Sequence, residues 1–240
     1  MSDIKRAADR IIVALDTNSV SHALDLVQDL TPTITRFKVG LELFCAGGMD
    51  AISGIHSRGG EVFLDLKLHD IPNTVKGAAA VLRDAEVWMT NVHASGGVEM
   101  MRNAREALPE TTVLAVTVLT SFSQESFDEL LGVERSIPEM VGRWAQSTAK
   151  AGLDGVVCSP QEIQIIREEV GDDFLIVTPG IRPEWAATGD QRRITTPAEA
   201  VQRGSDYLVI GRPIRQADQP KQAAERIIDE ITNSVEGSVN

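Results

Sequence analysis

The chain has 240 residues, enough for one large α/β domain or two small ones, and its hydrophobic and charged fractions are those of an ordinary globular protein. A formal net charge of −12 opposes nonspecific attachment to nucleic acid or to an anionic membrane, since both are polyanions. Any anionic ligand therefore needs a local basic site. Cys45 and Cys158 are the only cysteines, far apart and without CxxC spacing, which points to a reducing compartment. The first residues, MSDIKRAADR, are polar, and no apolar run reaches bilayer length. The expectation is a cytoplasmic protein with no membrane partner.

In chain order, short runs rich in Val, Ile and Leu predict strands at 10–16 (RIIVALD), 34–40 (ITRFKVG), 60–67 (GEVFLDLK), 86–94 (EVWMTNVHA), 111–120 (TTVLAVTVLT), 155–159 (GVVCS), 174–180 (FLIVTPG) and 206–211 (DYLVIG). Most lack clean alternation, as expected for strands covered on both faces of a parallel sheet. Amphipathic stretches between them predict helices near 19–30, 47–58, 73–84, 97–107, 138–151, 160–170 and 197–203, with a last helix near 220–233. Ser159-Pro160-Gln161-Glu162 and Thr196-Pro197-Ala198-Glu199 each supply a hydroxyl N-cap, proline at the first helical position and glutamate at the third. Ser136 and Glu139 have the same spacing. Eight strand–helix units favour a (β/α)8 TIM barrel over a doubly wound open sheet. Nothing in the chain reads as a linker, so 1–240 is expected to be one catalytic domain.

In such barrels the chemistry sits where strands end. Asp16, Lys38, Asp65, Lys67, His93 and Thr120 fall at or near the ends of the first five predicted strands. Residues two apart on a strand share a face, so Asp65 and Lys67 are expected to point the same way, into the mouth. A lone Asp–Lys pair is usually a solvated ion pair. Four charged residues at one end of three successive strands are harder to assign to the solvent. Past strands 7 and 8, TPGIRP offers Gly180 and Arg182, and IGRP offers Gly211 and Arg212; this is the usual place for a phosphate. The stretch 182–195 is long for its position, and a lid over a ligand or a plain insertion both account for it. His22, His56, His69 and His93 show no metal-ligand spacing, and His22 and His56 lie on helical stretches as surface or packing residues. No G-x-G-x-x-G follows strand 1 and no nucleophile elbow is present, so dinucleotide binding and acyl transfer are disfavoured; Thr120 and Ser121 lack an evident base. Both cysteines are expected to be buried packing residues.

The segment DLKLHDIPNT (65–74) resembles the signature of the orotidine 5′-monophosphate decarboxylases. IIVALD, FKVGLELF, NVHASGG, VTVLTS, TPGIRP, GDQRR and VIGRPI extend the resemblance in order from strand 1 to strand 8. The resemblance implies loss of CO2 from orotidine 5′-monophosphate to give uridine 5′-monophosphate, the last step of de novo pyrimidine synthesis, with no metal and no organic cofactor. It implies that Lys67 is the proton donor within a network of Lys38, Asp65, Lys67 and Asp70. It further implies a homodimer in which Asp70, with Ile71 and Thr74 beside it, enters the partner's site. Asp16 and Lys38 would hold the ribose hydroxyls and Thr120 the pyrimidine, while Arg182, Gln191, Gly211 and Arg212 would gather the 5′-phosphate. Opposite charges beside an amine favour its ionised form, which suits Asp65 and Asp70 to this task.

Two alternatives stay open. One is a magnesium-dependent sugar-phosphate decarboxylase of the same barrel group, which shares D-x-K-x-x-D but needs a glutamate near the end of strand 2, where this chain has Lys38. The other is a non-catalytic nucleotide-binding regulator.

Overall fold

The computed structural model describes residues 7–132, 135–186 and 195–236. Eight parallel strands close into a barrel in the order β1 to β8, and the doubly wound alternative falls away. The strands are β1 (Ile11–Ala14), β2 (Arg36–Gly40), β3 (Glu61–Leu68), β4 (Met89–His93), β5 (Thr112–Val116), β6 (Gly155–Val157), β7 (Leu175–Thr178) and β8 (Tyr207–Ile210). The α-helices are α1 (Val20–Leu30), α2 (Leu41–His56), α3 (Pro72–Arg83), α4 (Gly97–Ala107), α5 (Gln124–Leu131), α6 (Ile137–Ala151), α7 (Ile163–Val170), α8 (Pro197–Gln202), α9 (Arg212–Arg215) and α10 (Pro220–Glu236).

The chain forms two compact units, one from the segments up to Leu66 and from Thr178 onward, the other from Lys67–Val177. In the first, Ile11, Ile12, Phe37, Val39, Val62 and Leu64 are fully buried. The sequence shows why α1 docks there: Ala23, Leu26, Val27 and Leu30 recur at helical spacing and are its buried residues. Each such leucine contributes roughly 1.5–3 kcal/mol through burial. In the second unit, Met89, Val92, Val113, Leu114, Val156 and Ile176 form the interior, covered by Val75, Ala79 and Leu82 of α3 and Met100, Met101 and Ala104 of α4. β6 and β7 approach so closely at Gly155 that a Cβ there would lie 2.1 Å from the Leu175 carbonyl oxygen, so only glycine fits.

All three expected caps form reciprocal boxes. Ser136 with Glu139, Ser159 with Glu162 and Thr196 with Glu199 each close the start of a helical turn, contributing about 1 kcal/mol apiece. Elsewhere the structure corrects the reading. The helix expected at 47–58 runs from Leu41 to His56, and Gly48, at φ 53° and ψ −135°, kinks it into two segments. Only the second segment matches the expectation. α5 was not expected, because it is short and its only buried residue is Phe127. Cys45, expected in the core, is exposed: it lies off the Leu43–Ala51–Ile52–Ile55 stripe that α2 buries. Cys158 is buried as expected. Among the described residues no helix is long and apolar enough to cross a membrane.

Candidate active site

β2 and β3 pair in register, with Lys38 opposite Phe63 and Gly40 opposite Asp65. The Lys38 Nζ donates to Asp16 Oδ1 at 3.0 Å and lies 3.3 Å from Asp65 Oδ2. β2 ends at Gly40, as the predicted strand does, with Lys38 two residues before that end. Asp16 lies two residues beyond β1 and is exposed, while Lys38 and Asp65 are buried. Gly40 leaves room for the amine, since a Cβ there would stand 2.8 Å from Lys38 Nζ. Removing a charge from water costs several kcal/mol, and pairing roughly offsets that cost at best. Fold stability therefore gives no reason for two buried charges here, where an apolar pair would serve as well. A site that must present fixed charge to a ligand does.

Lys67 follows on the same strand, at the start of the second unit. Its φ is +53°, and only Glu86 shares a positive φ among the described non-glycine residues. Such a backbone costs about 1–3 kcal/mol and persists only where the surroundings over-determine it. The Lys67 N–H donates to Asn91 Oδ1 on β4 at 2.8 Å, and Asn91 is fully buried. His69 and His93 pack ring against ring with centroids 5.3 Å apart. Asp70 is exposed, and its Oδ1 accepts the Ile71 N–H at 2.7 Å. Ile71 is the N-cap of α3 and 67% exposed, and Thr74 is exposed in the first turn. Thr120, expected on β5, is exposed four residues past Val116, where that strand ends.

The basic loops converge within the first unit. Arg182 and Arg212 line one cleft of about 240 Å³ with Trp185, Ala186, Pro213 and Gln216. Gly211 is the N-cap of α9, and Arg212 is its first residue. The loop that carries Arg182 is pinned at both ends: Ile181 bridges Thr195, and the Arg182 N–H donates to the Thr195 carbonyl at 3.1 Å. The Arg226 guanidinium sits 4.2 Å from the centroid of the Trp185 ring. Gln191 lies outside the described residues.

Sequence reading missed Asn91, Trp185 and Arg226. Asn91 left a trace, a polar residue in an apolar strand run, but nothing in the run says which backbone it reaches. No group of three or more His, Cys, Asp or Glu side chains poised for a metal occurs among the described residues.

Comparison with known proteins identifies the family. Residues 9–227 match the family described as orotidine 5′-phosphate decarboxylase / HUMPS. The chain is 50% identical over 236 residues to an orotidine 5′-phosphate decarboxylase of Syntrophomonas wolfei, covering 94% of this chain and 99% of that protein. It is 55% identical over 196 residues to the Streptococcus pneumoniae protein of the same name, covering 81% and 84%. The crystal structure of orotidine 5′-phosphate decarboxylase from Lactobacillus acidophilus superposes with a TM-score of 0.83 at 38% identity, over 93% of this chain and 99% of that one. A closed eight-stranded parallel barrel with charged residues near its strand ends, matched along nearly its whole length to these proteins, leads to one conclusion: the chain belongs to the orotidine 5′-phosphate decarboxylase / HUMPS family.

Proposed function

We propose that the protein decarboxylates orotidine 5′-monophosphate to uridine 5′-monophosphate and CO2, closing pyrimidine nucleotide synthesis in the cytoplasm, and that residues 1–240 act as one catalytic domain. The observation that carries the reading is the Asp16–Lys38–Asp65 network, in which Lys38 and Asp65 are buried, with Lys67 in a strained backbone two residues further along β3.

Breaking the C6–carboxylate bond leaves its electron pair on C6, with no adjacent carbonyl to accept it. Stabilisation must be electrostatic. The Lys67 ammonium faces that pair, lowers its energy and delivers the proton that forms the new C6–H bond. Asp65, and Asp70 of the partner subunit, orient the amine. The exposed Asp70, Ile71 and Thr74 support this homodimeric arrangement, because all three are available to another copy of the chain. Asp16 and Lys38 hold the ribose and Thr120 the pyrimidine. Arg182, Gly211 and Arg212 take the phosphate, joined by Gln191. One fixed donor supplies about 3–4 kcal/mol, against roughly 8–23 kcal/mol for enzymes as a whole. Binding energy from the unreacting phosphate is the natural source of more. The Lys38 ammonium on β2 also disfavours the magnesium-dependent alternative, since it occupies the region where a cation ligand would be required.

An ultraviolet assay with orotidine 5′-monophosphate and excess EDTA tests this. The orotate chromophore should disappear at a rate the chelator leaves unchanged. No loss of absorbance sinks the proposal. Loss abolished by EDTA favours the magnesium enzyme, and nucleotide binding without turnover favours a regulator.

A further inference from the structure

We propose that Asn91 is a positioning residue for Lys67: by accepting the Lys67 backbone N–H, its side chain holds Lys67 at positive φ and so sets where the ammonium points. This rests on the decarboxylase reading above.

Three observations meet here. First, Lys67 has left the extended range inside a β-strand, at φ +53°. An L-residue does not stay there without being held. Second, the acceptor of its N–H is a side-chain carbonyl, Asn91 Oδ1, at 2.8 Å. Because an N–H can pair only with the oxygen of a side-chain amide, the contact also fixes which way the amide is turned. Third, Asn91 is fully buried in β4 beside Val92, where a polar side chain is costly unless bonded. Regular pairing with β5, Asn91 opposite Leu114, makes its own backbone a rigid base. The adjacent β4 residues Thr90 and Val92 are also buried, so the segment has little freedom to move. An apolar residue at 91 would suit the packing alone. Asparagine suits a strand that must also grip its neighbour's irregular backbone. A long lysine side chain magnifies small backbone rotations at its tip, and reacting groups tolerate little misplacement.

The test compares Asn91→Ala and Asn91→Asp with the unaltered enzyme. Asn91→Ala should lower kcat on the order of 10²-fold. KM, and the affinity for uridine 5′-monophosphate, should stay near their starting values, since the product needs no proton donor. Asn91→Asp keeps an acceptor oxygen in place and should retain most of kcat. Unchanged kcat in Asn91→Ala, or parallel losses of kcat, product affinity and thermal stability in both variants, overturns the proposal. Amide hydrogen exchange of the unaltered protein supplies a readout free of folding defects and of turnover. The Lys67 amide should be protected well beyond that of exposed Asp70, and rapid exchange at Lys67 overturns the contact itself. If the unaltered protein is protected at Lys67 yet decarboxylates nothing, the functional reading fails and the catalytic role of Asn91 fails with it, while the hydrogen bond stands.

Discussion

Glu162 follows β6 in the turn capped by Ser159, where its Oε2 accepts the Ser159 N–H at 3.0 Å. It is buried, 8% exposed, and burial pushes its carboxyl up from 4.5 to about 7, with the Ser159 hydrogen bond opposing. The folded protein therefore keeps a proton there that the unfolded chain has already lost. Below pH 4.5 both states are protonated and the group is neutral to stability. As pH rises from 4.5 through 7 the unfolded state binds fewer protons, so stability falls with pH; above 7 the penalty is complete. At 1.36 kcal/mol per pH unit the full penalty is about 3 kcal/mol, of which about 1 kcal/mol is already present at pH 5. Glu162→Gln removes the titration and keeps an acceptor oxygen for Ser159. The variant should gain on the parent by roughly 2–3 kcal/mol between pH 5 and pH 8, equivalent to about 4–12 °C in Tm for a chain of this size. Urea titrations of both proteins at half-unit pH steps measure the difference. A gap that stays constant across that range would refute the claim that a buried, protonated carboxyl sits in this turn.

Three further outcomes are expected. Lys67→Ala and Asp70→Asn should each be nearly inactive, and mixing their subunits should restore activity, because one hybrid dimer site keeps both groups; heterodimers without activity would place Asp70 in its own chain's site. Arg212→Ala should weaken handling of the phosphate, raising KM more than it lowers kcat, and its effect should vanish on a substrate without phosphate; equal loss on both substrates contradicts the role. Cys158 is fully buried, and desolvation, with Glu162 beside it, raises its thiol well above the ordinary range, whereas Cys45 is exposed. A disulfide reagent at pH 8 should consume one thiol quickly in the native protein and two in urea; two fast thiols in the native protein would contradict the burial.

Most of the eight strands were legible because Val, Ile, Leu or Phe recur in short buried runs, although β4 (MTNVH) holds only one of them, and the helices between them repeat their apolar residues at helical spacing. The caps at Ser136, Ser159 and Thr196 were legible for a local reason: donor and acceptor are three residues apart. Lys38, Asp65, Arg182 and Arg212 were found through their positions at strand ends. That argument needs only element order, together with the rule that barrel chemistry gathers at one end. The kink at Gly48 was not legible, since glycine permits an irregular φ without demanding it.

What the amino-acid order determined by itself was the eight strands, most of the helices between them, the barrel they close and the chemical types available at its rim, because hydrophobic period and capping act over a few residues. Only the tertiary structure decided that Lys38 reaches both Asp16 and Asp65, that Lys67 abandons the pleat, and that Asn91 is what its backbone bonds. Those facts join residues 22 to 27 positions apart, or depend on a single backbone angle, and neither a distant pairing nor a strained φ leaves a periodic mark on the chain.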